Sequence, residues 1–383
     1  MKRRSLADCH NILDLRERAR HCLPSPVFHM MDGGAESELT ARRNSLAFDD
    51  IALAPRCLVD VSKVKTATRV LGQDLEWPLL CAPTGASRLF HPDGELAVAR
   101  AAAKAGILYS LSTASTYSLE EVVAATSGPK MFQLYVHKNR DLTRSLIERS
   151  KRAGYAALCL TVDVPAMGNR ERSLRAGFNM PPVWTLRTAL SYARRPAWVL
   201  AQMRQGSITL ANLVDPSDGG GPSQSTSLTD QIDAALTWKD VREIADLWGG
   251  PLALKGVMSA EDARRAADAG VSAVIVSNHG GRQLDGAAAA VEALPKIARA
   301  VGDRIEVILD GGVRRGVHVL KALALGAKAC SIGRPYLYGL SAGGEAGVVK
   351  ALSILRTELT LAMQLSGCAD VESIGSNLIW RSV

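Results

Sequence analysis

Eight short apolar runs, each followed by a longer stretch, begin just after Trp77 and leave this chain few folds to choose from. They occupy residues 78–84, 107–113, 130–136, 157–164, 251–256, 273–278, 306–312 and 329–334. The runs are rich in Leu, Ile and Val and nearly continuous rather than alternating, as strands buried on both faces of a parallel sheet should be. Segments of helical period at 94–106, 142–154, 260–270 and 316–326 lie between them, several closing on a glycine placed like a helix C′ residue. The pattern predicts an α/β fold, a (β/α)8 TIM barrel. An open doubly wound sheet usually has fewer parallel strands, and no GxGxxG follows the first run. With 383 residues, 47% of them hydrophobic and 22% charged, the chain can form one large barrel domain over 1–383.

Two regions fall outside the βα period. Residues 1–76 read as a helical and irregular N-terminal cap. Between the fourth and fifth runs about 85 residues stand where one helix and a few loop residues would suffice, so an insertion is expected over 181–227. Its first part carries Arg187, Arg194, Arg195 and Arg204 without an acid, together with Trp184, Tyr192 and Trp198. Residues 182–204 therefore read either as a contact with an anionic membrane surface or as an active-site lid or subunit contact. Residues 215–225 have the composition of a flexible loop.

A net charge of +8 suits phosphate, carboxylate or an anionic surface and is too small to imply nucleic acid. Seven cysteines form no CxxC pair, which fits a reducing compartment, and no metal is expected. The basic start runs into Asp8, Asp14 and Glu17 instead of an apolar signal core, and no run of ~18 apolar residues follows. The expected location is cytoplasmic, with a peripheral contact on the inner face of the cell membrane.

In a TIM barrel the chemistry sits at the C-terminal ends of the strands. Polar and glycine residues crowd there: Pro83-Thr84-Gly85, Ser112, Gln133, Tyr135, Thr161, Asp163, Lys255, the run Ser277 to Arg282, Asp310 with Gly312 and Arg314, and Gly333-Arg334. Glycine turns after the seventh and eighth strands, each followed by an arginine, are what a barrel phosphate site requires, although the same residues can merely make tight turns. Lys255 leaves an apolar strand and needs an anionic partner, which a reduced flavin would supply. A lone histidine is more often structural than catalytic. His279, however, precedes two glycines and Arg282, which places a base and a carboxylate binder together, with Asp163 available to orient the imidazole.

These residues resemble the FMN-dependent α-hydroxy acid dehydrogenase and oxidase family, which includes glycolate oxidase, lactate dehydrogenase and mandelate dehydrogenase. The matching segments run through nearly the whole chain: Gly33-Gly34-Ala35-Glu36 with Thr40 and Asn44, His91-Pro92-Asp93-Gly94-Glu95, Phe132-Gln133-Leu134-Tyr135, Thr161-Val162-Asp163, Gly168 with Arg170-Glu171, the very specific SNHGGRQLD over 277–285, and 321–327. The resemblance implies FMN contacts from the Pro83-Thr84-Gly85 backbone, Ser112, Gln133, Thr161, Lys255 and Ser277, with the phosphate on Asp310, Gly312, Arg314, Gly333 and Arg334. It implies that Arg170 and Arg282 clamp the carboxylate of a small-molecule 2-hydroxy acid. Tyr135 would hydrogen-bond the substrate oxygen, and His279, held by Asp163, would be the base. The product is a 2-oxo acid, with hydride transfer and a carbanion route both open. A homotetramer is implied as well.

Several positions depart from the family pattern. Met30 stands where many members have a carboxylate-binding Tyr, which raises a tailoring oxidase of a natural-product or peptide intermediate as an alternative. Ser173 replaces an Asp, so an ion pair near the clamp is expected to be missing. His318 replaces an Asp and is expected to be structural. Gly85 is similar to the dehydrogenases, which pass electrons to a quinone or other acceptor, rather than to the oxidases, which form H2O2. Ala114 replaces a bulky Trp of glycolate oxidase and leaves room for a large substrate side chain. The competing classes are an FMN isomerase without net redox and a barrel that merely binds phosphate.

Overall fold

All eight predicted runs form strands, and the strands close on themselves. The computed structural model describes residues 5–179, 184–213 and 231–380. A short antiparallel hairpin, β1 (Thr68–Val70) and β2 (Gln73–Leu75), precedes the barrel. The barrel strands are β3 (Leu79–Cys81), β4 (Leu108–Ser112), β5 (Lys130–Leu134), β6 (Ala157–Thr161), β7 (Leu252–Val257), β8 (Ala273–Val276), β9 (Glu306–Asp310) and β10 (Ala329–Ile332). Each pairs in parallel with its sequence neighbours, and β10 returns to β3 with Cys330 opposite Leu79 and Ile332 opposite Cys81. Closure removes every sheet edge, and the helices outside bury the second face of each strand.

The helix over Arg140–Arg152 shows how the sequence builds the outer ring. Its buried Thr143, Leu146, Ile147 and Ser150 recur at spacings of three and four. The Asn139 side chain accepts from the amides of Asp141 and Leu142, and Arg149, Lys151 and Arg152 face the negative end of the helix dipole. The last helix, Arg334–Leu365, breaks its helical geometry at Gly343 and Gly344.

The N-terminal cap holds helices at Ile12–Cys22, Ser25–Asp32 and Leu39–Leu46. Ile12, Leu15 and Phe28 belong to the same apolar cluster as Leu340 and Leu355 of the last helix, so cap and barrel share a core. The hairpin was not legible as such, because three-residue strands are too short to show a period. Its Val70, Leu71 and Leu75 plug the N-terminal end of the barrel against Leu80, Leu108 and Met131. The Leu71 amide donates to Glu306 Oε2 at 2.8 Å.

Of the 181–227 insertion, residues 184–213 form two helices, Leu186–Ala193 and Pro196–Gln205, that lie against the cap and the loop after β3. Arg195 donates to the carbonyls of Leu23 and Arg20, the Ser25 amide donates to Ser191 Oγ, and Trp198 Nε1 donates to Leu89 O. The loop expected at 215–225 lies outside the described residues. Among the described residues no helix is long and apolar enough to cross a membrane.

Candidate active site

A cavity of about 560 Å³ opens at the C-terminal ends of the strands, a size suited to a cofactor or ligand site. Gly85, Ser112, Ala114, Tyr135, Arg170, Lys255, His279, Arg282, Asp310, Gly312, Arg314, Gly333 and Arg334 all line it, with Met30, Pro83 and Thr84. Thr161, Gln133, Ser277 and Asp163 stand beside these residues through strand register and hydrogen bonds.

On one side the cavity is polar and incompletely paired. Ser112 Oγ donates to Gln133 Oε1 at 3.0 Å, which leaves Gln133 Nε2 buried without a partner, and Thr161 Oγ1 is in the same condition. Buried donors seldom go unsatisfied, so both atoms mark a ligand with hydrogen-bonding edges. Lys255 has a counter-ion inside the chain, where a flavin was expected to supply one. Its Nζ lies 3.1 Å from both Asp310 Oδ2 and Ser277 Oγ, and Ser277 donates to Asp310 at 2.7 Å. Burial alone would lower the Lys255 pKa, but the carboxylates of Asp310 and Asp163 outweigh it and keep the ammonium charged. The Asp310 carboxylate, expected at the phosphate, therefore serves Lys255 and Ser277.

Gly312, Arg314, Gly333 and Arg334, the residues expected at a phosphate, come together at one end of the cavity. Arg334 donates to Gly280 O at 2.9 Å and Gly33 O at 2.7 Å while its Nε stays buried and unpaired, and Arg314 donates to its neighbour Val313 O. Among the described residues no carboxylate pairs with either guanidinium. Two sequestered cations held only by carbonyls need an anion, which the phosphate of FMN would supply.

His279 follows β8 in left-handed geometry with φ +57°, and Gly280 and Gly281 follow at +64° and +71°. Three consecutive left-handed residues are affordable because two are glycine, and they turn the imidazole back over the barrel mouth. Its Nδ1 lies 3.0 Å from Asp163 Oδ1. Burial would raise the Asp163 pKa, but the hydrogen bond with His279 and the nearby Lys255 ammonium hold it below the usual range. An ionised carboxylate only accepts, so Nδ1 carries the proton and Nε2 is left as a base. Burial lowers the His279 pKa against the opposing pull of Asp163, so the ring is neutral at neutral pH. Asp163 approaches closely because β7 bulges at Gly256, where a Cβ would stand 2.6 Å from that of Asp163.

Around this pair the predicted substrate residues converge. The Tyr135 hydroxyl is pushed up to about 12 by burial and stays a donor. Arg170 keeps its Nε buried and unpaired, and Arg282 Nη1 donates to Met30 O at 2.9 Å and Gly33 O at 2.8 Å. Met30 thus contributes a carbonyl to the clamp and an apolar side chain to the wall, alongside Phe90, Ala114, Met167, Phe178 and Leu210.

The ion pair expected to be missing near the clamp is present through other residues. Ser173 donates to His29 O, while Arg172 pairs with Asp32 at 3.0 Å and with Glu38 at 2.8 Å. His318 is stacked on Phe48 and accepts from the Arg314 amide, so it shapes the turn beside the phosphate site. Sequence reasoning assigned no role to Glu95, whose buried carboxylate accepts from the Ser87 amide and from the amide and hydroxyl of Thr116, joining the loops after β3 and β4. It also missed the reciprocal amide pair of Asn44 and Asn278, both 2.8 Å. The signal in each case was an acid or amide within a matching motif with no surface to face.

With this geometry in place, comparison with known proteins is direct. The family model of FMN-dependent dehydrogenases matches residues 19–381, and the chain belongs to that family. It is 45% identical over 373 residues to an L-lactate oxidase of Nostoc sp. (strain PCC 7120), covering 96% of this chain and 97% of the relative. It is 41% identical to glycolate oxidase 3 of Oryza sativa subsp. indica, covering 96% and 95%. Among solved structures it superposes on the monotopic membrane protein (S)-mandelate dehydrogenase with a TM-score of 0.94 and 38% identity, covering 98% of this chain and all of that one. The protein is an FMN-dependent α-hydroxy acid oxidoreductase with a (β/α)8 barrel.

Proposed function

We propose that the substrate is an L-2-hydroxy acid with a bulky apolar side chain, oxidised to the 2-oxo acid. The observation that carries this reading is His279, its Nδ1 3.0 Å from Asp163 Oδ1, sharing one cavity with Arg170, Arg282 and Tyr135. The guanidinium forks receive the carboxylate. Tyr135 donates to the substrate oxygen, and His279 Nε2 takes up a proton while Asp163 stabilises the imidazolium. FMN, when bound, takes up the two electrons released from the substrate carbon. The second proton would pass to the flavin with those electrons, so the alcohol becomes a carbonyl, and a quinone or O2 would reoxidise the flavin. The wall of Met30, Phe90, Ala114, Met167 and Phe178 favours aromatic or long aliphatic side chains. An anaerobic titration with L-2-hydroxy acids, followed at the flavin absorbance, tests this. Mandelate or a long-chain acid should bleach the flavin and glycolate should do so poorly; no bleaching by any acid sinks the reading and points to a tailoring substrate.

For the electron acceptor we favour a quinone at a membrane surface. Supporting this are Gly85, the likeness to a monotopic membrane dehydrogenase, and the helix pair of the insertion. There Trp184, Leu186, Leu190, Leu200 and Met203 are exposed in company with Arg187, Arg194 and Arg204, apolar side chains and cations on one short stretch of chain. The rival acceptor is O2, which the identity to an L-lactate oxidase supports. Peroxide formation under air against quinone reduction separates the two. Pelleting with anionic vesicles, lost in a Leu186→Glu, Met203→Glu double variant, would support the membrane contact; no pelleting of the wild type would refute it.

A further inference from the structure

Asp32 is the last residue of the helix Ser25–Asp32, where a negative charge opposes the helix dipole. It nevertheless lies buried, its side chain only 4% exposed. Arg16 grips it with two hydrogen bonds of 2.6 and 2.7 Å, Tyr338 donates to it at 2.7 Å, and Arg172 lies 3.0 Å away. These three partners come from the first cap helix, the last helix and the turn that follows Arg170. Helix stability does not explain such an arrangement.

The carbonyls on either side of Asp32 do. Met30 O and Gly33 O both accept from Arg282 Nη1, and Gly33 O also accepts from Arg334 Nη2. Arg172 Nε also lies 2.8 Å from Glu38 Oε1, which in turn accepts from the Gly34 amide. One short turn therefore holds Arg282 directly and is tied by Arg172 to the segment that carries Arg170.

Electrostatics gives the reason for a carboxylate here. Arg282 sits against Arg170 and Arg334, whose charges, after burial itself, depress its pKa. The site must stay cationic to receive an anion, yet the crowded cations must be kept in place. Asp32 has no hydrogen bond or ion pair to Arg170 or Arg282 among the described contacts, so it supplies negative charge to the scaffold without neutralising the clamp.

We propose that Asp32, acting with Arg172, is a positioning residue that pre-forms the carboxylate clamp of Arg170 and Arg282. The proposal rests on the reading of those two arginines as the substrate clamp. Its test uses the FMN-loaded protein and the variants Asp32→Asn, Arg172→Met and the double variant. The dissociation constant of phenylacetate, an inert carboxylate, is read from the perturbation of flavin absorbance, and KM and kcat are measured with a hydroxy acid that reduces the wild type. Each single variant should raise both the phenylacetate constant and KM by about tenfold, with kcat within about threefold and full flavin content. The double variant should be little worse than either single one, since both break one link. Unchanged phenylacetate binding in the singles, or a fall of kcat and flavin content in step with KM, overturns the role of Asp32 and leaves the clamp standing. A wild type that binds no carboxylate overturns the clamp and this role with it. Should Asp32→Asn fail to fold, Arg172→Met decides alone, because Arg172 is partly exposed.

Discussion

At the N-terminal ends of the strands Leu108, Met131, Ala157, Ala253 and Ala273 meet the hairpin residues Val70, Leu71 and Leu75 in a dry apolar cluster. Two to six residues further along the chain, at the strand ends or just past them, stand Ser112, Gln133 and Tyr135, Thr161 and Asp163, Lys255, and Ser277. Along β6, for instance, the series runs Ala157, Cys159, Thr161, with Asp163 two residues past the strand's end. The lower layer gains stability by excluding water. The upper layer holds charges, unpaired donors and a left-handed histidine that only a ligand makes worthwhile.

The sharpest break in this comparison is His279→Gln. It should slow flavin reduction by substrate on the order of 10²- to 10⁴-fold, measured by anaerobic stopped flow, while leaving stability within roughly 1 kcal/mol. Because burial lowers the His279 pKa, the wild-type kcat/KM should hold through neutral pH and fall only below about 6.5, as the base becomes protonated. The variant should lose that acid limb. A stability loss equal to the rate loss would mean that the two layers are not separable.

Lys255→Met sharpens the comparison from the other direction, since it strands the Asp310 carboxylate in a buried site. Denaturant titration of the FMN-free proteins should show a loss of about 3–5 kcal/mol. In the lower layer, Leu108→Ala should cost about 2–5 kcal/mol and leave KM unchanged. A raised KM there would show that the plug and the mouth are coupled.

The smallest expected effect is that of His318, whose pKa burial lowers from 6.5 to about 4. Since the folded value lies below the unfolded one, the unfolded chain binds the proton first. The stability associated with the neutral ring is intact above about 6.5 and is lost as pH falls toward 4, by up to about 3 kcal/mol. His318→Gln should flatten the stability profile across that window; an unchanged slope would assign acid sensitivity to other groups.

Much of the barrel was legible because buried parallel strands leave continuous apolar runs and their helices end at glycines. Polar residues at the strand ends then located the mouth without any contact information. Lys255 illustrates the limit. Its need for an anion follows from burial, but the identity of Asp310 as that anion depends on β7 and β9 being brought together around Ser277. Ser173 shows the same limit in reverse. The loss of an expected acid suggested a missing ion pair, and Arg172 with Asp32 supplies one from positions 140 residues apart.

What the sequence by itself determined is the set of local facts: eight strand-length apolar runs, amphipathic helices with caps, glycines where a left-handed backbone is needed, and a histidine three residues before an arginine in one nine-residue run. These depend on chemistry between near neighbours. The tertiary structure alone decided which charges pair, which buried donors are left unpaired, and how the carbonyls of the cap hold Arg282 and Arg334. Those outcomes depend on closing loops of tens to hundreds of residues around a buried site, where a single missing partner changes the sign of an interaction.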